Sequence, residues 1–126
     1  MQCCLVVASS DLIRRIAALF AERAGFIALQ AEDGEKALQA CAARMPDIIL
    51  LDWRLSGMGA HDFLVELQRM RPAPKPQILY LMSELDIGDL TKAHAAGIDD
   101  FLLKPFDREM LTTKLQELAR VRHEMA

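Results

Sequence analysis

The sequence is poor in the residues that specialised folds and chemistries demand. Its 126 residues include only three cysteines, one tryptophan, one tyrosine, six glycines and five prolines. Cys3 and Cys4 are adjacent, Cys41 lies far off, and no C-x-x-C or paired His occurs. A disulfide framework or thiolate metal site is therefore not expected, and the thiols read as reduced and buried. No apolar run exceeds six residues, as in Cys3 to Ala8 and Ile16 to Ala21, whereas a membrane helix takes about twenty. The start, Met1-Gln2-Cys3-Cys4-Leu5, lacks the basic region and small-residue cleavage site of a secretory signal, so a soluble, cytoplasmic protein is expected. The formal charge is −3, with no block of like charges, which argues against nucleic acid or an anionic membrane as partner. His61, His94 and His123 have no second ligand at i+4, so no zinc site is expected. A triad of Ser83, His94 and Asp52 lacks a G-x-S-x-G elbow and an oxyanion loop.

What is present is an ordinary globular composition, 52% hydrophobic and 26% charged, expected to form a single domain over residues 1–126 with a core sufficient for unaided folding. Short continuous apolar runs alternate with amphipathic stretches, the pattern of strands buried on both faces between crossover helices. The strands are expected at Cys3 to Ala8, Ile27 to Gln30, Asp47 to Leu51, Ile78 to Met82 and Phe101 to Leu103. The helices are expected at Asp11 to Ala24, Gly34 to Arg44, Gly59 to Met70, Asp86 to Ala96 and Asp107 to His123. Gly25 and Gly97 follow the first and fourth helices, and Pro46 and Pro72 stop the second and third. The seven methionines read mostly as core, and Leu111, Leu115, Leu118 and Val121 form an apolar stripe that docks the last helix. The fold class is α/β, an open doubly wound five-stranded parallel sheet with five helices. In such sheets the functional crevice lies beyond the carboxyl ends of the strands.

Three chemistry-bearing side chains fall at that edge. Asp52 follows four apolar residues of the third strand, Ser83 follows the fourth strand, and Lys104 follows the fifth. A half-buried carboxylate needs hydrogen bonds or a cation. Asp52 and Lys104 could form a buried ion pair that joins two loops and does no chemistry. Alternatively, Asp52 accepts a phosphoryl group, Lys104 pairs with its oxygens and Ser83 hydrogen-bonds them.

The segments Cys4-Leu5-Val6-Val7, Arg14-Arg15-Ile16, Ala31-Glu32-Asp33-Gly34, Pro46 to Trp53, Ala96-Gly97 and Lys104-Pro105-Phe106 resemble, in order and spacing, the response-regulator receiver domains, the CheY-like family. The likeness covers nearly the whole chain. It implies strand order 2-1-3-4-5, Asp52 as phosphoacceptor, Ser83 as the hydroxyl that moves toward the phosphoryl group, Phe101 as the aromatic switch and Lys104 as the family's lysine. It also implies a cis bond before Pro105.

Receiver domains carry two acidic residues after the first strand that bind Mg²⁺ together with the phosphoacceptor; Ala8 and Ser9 stand there in this chain. Asp52 and the carbonyl of Arg54 are a poor remainder for a near-octahedral ion, so Mg²⁺ binding is expected to be weak or absent, no other cofactor is expected, and phosphorylation should be slow or absent. Asp11 reads as a helix opener rather than a replacement ligand. Glu84 adds negative charge beside the phosphoryl entrance, and the loop from Arg54 to Ala60 departs from the family at Ser56 and Ala60. Lys104 or Arg54 could pair with Asp52 in place of a metal.

The resulting expectation is not an enzyme but a stand-alone receiver of two-component phosphorelay signalling, a protein-interaction module with a degenerate metal site. Its expected partners are a sensor histidine kinase, a phosphotransfer protein, a downstream target, or a second copy docking through the fourth helix, fifth strand and fifth helix. An ordinary Mg²⁺-dependent response regulator is the alternative. A flavin-type binder, using Ser9-Ser10 at the first helix and Trp53 as ring partner, is the third reading.

Overall fold

A computed structural model describes residues 1–125. Strands β1 (Cys3–Val7), β2 (Ile27–Ala31), β3 (Ile48–Asp52), β4 (Gln77–Met82) and β5 (Asp100–Leu103) alternate with helices α1 (Asp11–Arg23), α2 (Gly34–Ala43), α3 (Ala60–Arg69), α4 (Ile87–Ala95) and α5 (Arg108–Met125). The strands form one parallel sheet in the order β2-β1-β3-β4-β5, as expected. Boundaries differ from the sequence reading by one or two residues. The shift that matters is that Asp52 closes β3 as a ladder residue, opposite Leu81, while Ala8 falls just outside β1.

The interior strands read CCLVV, IILLD and QILYLM and are buried throughout, because helices cover both faces of the sheet. Leu5, Val7, Ile49, Leu51, Ile78 and Tyr80 face α2, α3 and α4, whereas Cys4, Val6, Ile48, Leu50, Leu79 and Leu81 face α1 and α5. Each fully buried aliphatic contributes about 1.5–3 kcal/mol relative to exposure. The expectation of strands buried on both faces fails at β2, an edge strand whose Ile27 and Gln30 are exposed.

Four helices open with a side-chain cap. Ile13 N–H donates to Ser10 Oγ, Lys36 N–H to Asp33, Asp89 N–H to Asp86 and Met110 N–H to Asp107, satisfying amides that have no partner within the helix. Gly97 ends α4 at φ +117, and a Cβ there would stand 2.8 Å from Gln68 Nε2. Gly97→Ala is expected to lower stability by about 1–2 kcal/mol, read from the urea midpoint, because alanine is strained at positive φ and displaces Gln68. Two sequence expectations need correction. Val121 is exposed and Arg122 takes its place in the buried stripe with Leu111, Leu115 and Leu118. The spacing 111, 115, 118, 122 follows the helix more closely, and Arg122 is buried through its aliphatic stem while its head meets Asp47 at 3.5 Å. Of the methionines, only Met82 is fully buried; Met45 and Met58 pack at the core margin, and Met1, Met70, Met110 and Met125 are exposed.

Candidate functional site

Asp52 lies where β3, flanked by β1 and β4, delivers its last residue to the carboxyl edge of the sheet. It is 3% exposed. Lys104 Nζ donates to Asp52 Oδ2 at 2.8 Å, and the backbone N–H of Arg54 donates to Oδ1 at 3.2 Å. Lys104 is brought there by the end of β5, where its own N–H donates to Met82 O at 2.7 Å, and the following Lys104–Pro105 peptide is cis. Ala73–Pro74 is cis as well, a feature the sequence reading did not contain. The Lys104 side chain is 17% exposed, so the pair is largely removed from water, and each charge depends on the other for compensation.

Arg54, considered as a second cation for Asp52, turns its side chain elsewhere. Its guanidinium lies 5.1 Å from the centroid of the Trp53 ring, a cation–π contact. The indole Nε1 of Trp53 is buried without a hydrogen-bond partner. Ser83 and Glu84 are both exposed, and Ser83 forms no hydrogen bond with Asp52 or Lys104, so the expected convergence of all three groups reduces here to the aspartate and the lysine. Phe101 is half-buried, stands in register opposite Tyr80 and packs on the α2–α3–α4 side of the core.

Val7 pairs with Leu51, so Ala8 follows alongside Asp52. Ala8 is fully buried and its carbonyl accepts from Arg14 Nη1 at 3.0 Å. Ser9 Oγ donates to Glu32 O at 3.1 Å and accepts from Ser56 N–H at 2.9 Å, tying together three loops at this edge. Ser10 caps α1, and Asp11 pairs with Arg14 and Arg15. Among the described residues, no group of three or more His, Cys, Asp or Glu side chains is placed to hold a metal ion.

Two arrangements were missed by the sequence reading. Arg14 is buried and also donates from Nε to Gln30 at 3.3 Å; its position could have been found from the spacing 14, 17, 18, 21, which is the buried face of α1. His61, read as a surface histidine, donates from Nε2 to Asp89 Oδ1 at 2.8 Å, while Tyr80 OH donates to Asp89 Oδ2 at 3.0 Å. The signal was a lone tyrosine inside an aliphatic strand, since a buried hydroxyl requires an acceptor. His94 lies on the α4 side of a groove with Phe101, away from any triad with Ser83 and Asp52.

The profile of the response regulator receiver domain matches residues 4–116. The chain belongs to the response-regulator receiver family. This receiver is 37% identical over 97 residues to the transcriptional activator protein IrlR of Burkholderia pseudomallei, covering 77% of this chain and 41% of that protein. It is 30% identical over 116 residues to the phosphate regulon transcriptional regulatory protein PhoB of Escherichia coli K12, covering 92% of this chain and 51% of that one. The receiver thus spans about half the length of the curated relatives it matches. Among solved structures, the chemotaxis protein CheY4 of Vibrio cholerae superimposes with a TM-score of 0.88 at 27% identity, covering 94% of this chain and 98% of that one. The receiver has no helix among the described residues long and apolar enough to cross a membrane.

Proposed function

We propose that this receiver acts in the cytoplasm as a protein-interaction module whose aspartyl pocket is held by its own lysine, with Mg²⁺ binding weak or absent and phosphorylation of Asp52 slow or absent. The observation that carries this reading is the state of the donors around Asp52. One carboxylate oxygen is taken by Lys104 and the other by the Arg54 amide. Ala8 offers no side-chain oxygen, and its carbonyl is already bonded to the Arg14 guanidinium. The Ser9 hydroxyl is engaged on both sides, and Asp11 is turned to Arg14 and Arg15. Magnesium demands several well-placed oxygens with anionic charge among them, and this donor set does not fit it.

Partner binding is assigned to the face formed by α4, β5 and α5, where Leu85, Ile87, Leu103 and Met110 are exposed together with charged neighbours. Exposed apolar side chains on one face favour association with another protein. By family membership the partner is a histidine kinase, a phosphotransfer protein, a downstream effector or a second copy. The second reading, an ordinary Mg²⁺-dependent response regulator, is favoured by the retention of Asp52, Ser83 and Lys104 at family spacing.

The two readings separate by fluorescence. Trp53 adjoins Asp52, so its emission reports on the pocket. Titration with Mg²⁺ up to about 10 mM, then with beryllofluoride as a tetrahedral phosphoryl mimic, is expected to leave the emission unchanged, because magnesium sites of this kind rely on carboxylates that are missing. Saturable quenching at millimolar metal overturns the proposal in favour of the ordinary receiver.

A further inference from the structure

We propose that the position of α4, and with it the groove between α4 and β5, is governed by a Tyr80–Asp89–His61 latch rather than by the aspartyl pocket. The inference rests on assigning partner binding to the face that contains this groove.

The apolar attachment of α4 is slight. Ala93 is its one fully buried residue, Leu90 and the following Ala96 pack only partly buried against the core, and Ile87 is 65% exposed. Polar clasps on both halves of the helix supplement this packing. Toward the amino end, Asp89 receives Tyr80 OH on one oxygen and His61 Nε2 on the other. At the carboxyl end, Gln68 donates to Ala96 O and Lys75 Nζ donates to Gly97 O at 3.0 Å. His61 and Gln68 are seven residues apart on α3, as are Asp89 and Ala96, so the two helices are fastened at points two turns apart. Between the fastenings sits small Ala93, which lets the helices approach.

The members of the latch differ in accessibility. Tyr80 is fully buried, and burial together with Asp89 pushes its hydroxyl pKa upward, so it remains a donor at every physiological pH. A carboxylate only accepts, so the proton of the His61–Asp89 bond lies on Nε2. The His61 side chain is 37% exposed and stands at the start of α3, where contact from outside can draw it off. Tyr80 is thus the inner pin and His61 the accessible arm. Tyr80 also pairs in register with Phe101, which lines a groove of about 410 Å³ with Leu90, Thr91 and His94. Release of Asp89 frees the helix that forms one wall of that groove. A contact at the start of α3 is in this way coupled to the α4–β5 face through one shared carboxylate, without chemistry at Asp52.

Amide hydrogen exchange of the whole chain, without metal, phosphoryl donor or partner, tests the latch. Tyr80→Phe is expected to speed exchange of the α4 amides by about tenfold, and His61→Ala by about threefold, with the β1 and β3 amides close to wild type. Asp52→Asn is expected to leave α4 exchange within about twofold of wild type. Unchanged α4 exchange in Tyr80→Phe, or an Asp52→Asn effect as large as that of Tyr80→Phe, overturns the proposal. If Tyr80→Phe loosens every strand, His61→Ala, at an edge position, decides alone: faster exchange confined to α4 supports the latch and no change refutes it. The reading of the pocket fails by metal-dependent Trp53 quenching instead, so the two failures are distinguishable.

Discussion

Phosphorylation of Asp52 by acetyl phosphate in millimolar Mg²⁺ is expected to run about a hundred- to a thousandfold slower than in a receiver with two acidic residues after β1. A divalent cation neutralises charge as the phosphoryl group moves, an effect of several kcal/mol, and each 1.36 kcal/mol is about tenfold in rate. Two to three decades is therefore the scale of the loss. The reverse experiment is more telling. Ala8→Asp with Ser9→Asp is expected to restore Mg²⁺ binding and recover most of the rate, measured as phosphoprotein by intact-mass spectrometry. It should also alter stability in a metal-dependent way. Ala8 is fully buried and Ser9 joins Glu32 to Ser56, so the double variant without metal is weakened by unpaired carboxylate and a lost clasp. Magnesium at a hundred times its dissociation constant returns about 2.7 kcal/mol, seen as a rise in Tm that the wild type does not show. A wild-type rate equal to that of ordinary receivers refutes this account of the pocket.

The second large effect concerns the ion pair itself. Lys104→Met is expected to destabilise the fold by about 3–5 kcal/mol, because Asp52, 3% exposed, keeps its charge without its 2.8 Å partner. Replacing both residues, as Asp52→Asn with Lys104→Met, is expected to restore most of that loss, since a neutral amide can still accept from the Arg54 N–H and no unpaired charge remains. Urea denaturation of the wild type, the two single variants and the double variant gives the coupling directly. A single-variant loss below about 1 kcal/mol means that the pair behaves as a solvated surface contact.

Much of the architecture was legible because its causes are local or periodic. Runs such as Ile48 to Leu51 and Ile78 to Met82 have no polar face, which only a two-sided parallel sheet accommodates, and Ser10, Asp33, Asp86 and Asp107 mark helix starts by chemistry that acts within three residues. The meeting of Asp52 with Lys104 was legible for the same reason, since one ends and the other follows a strand whose place in the sheet fixes its edge. The choice between Lys104 and Arg54 as partner was not. It depends on Arg54 finding the Trp53 ring, a contact set by loop conformation. Ser83 was placed at the right edge, but a hydroxyl on a strand end has no obligation to point at its neighbours, and here it is exposed. The Tyr80–Asp89–His61 arrangement escaped because it joins three elements through side-chain reach rather than through a repeating pattern, whereas Arg14, on the periodic buried face of α1, was open to reading. Arg122 replaced Val121 in the last helix because long aliphatic stems count as apolar when their charged end finds Asp47.

The clasp at the amino edge of the sheet bears on when the first strand is secured. Asp47 accepts from the Cys3 N–H at 2.7 Å and meets Arg122, while Gln2 Nε2 reaches Ala119 O at 3.2 Å across 117 positions of sequence. The first strand therefore gains its full set of fastenings only after the last helix has been synthesised. During synthesis β1 therefore stays incompletely fastened until α5 has emerged, so its closure is a late event.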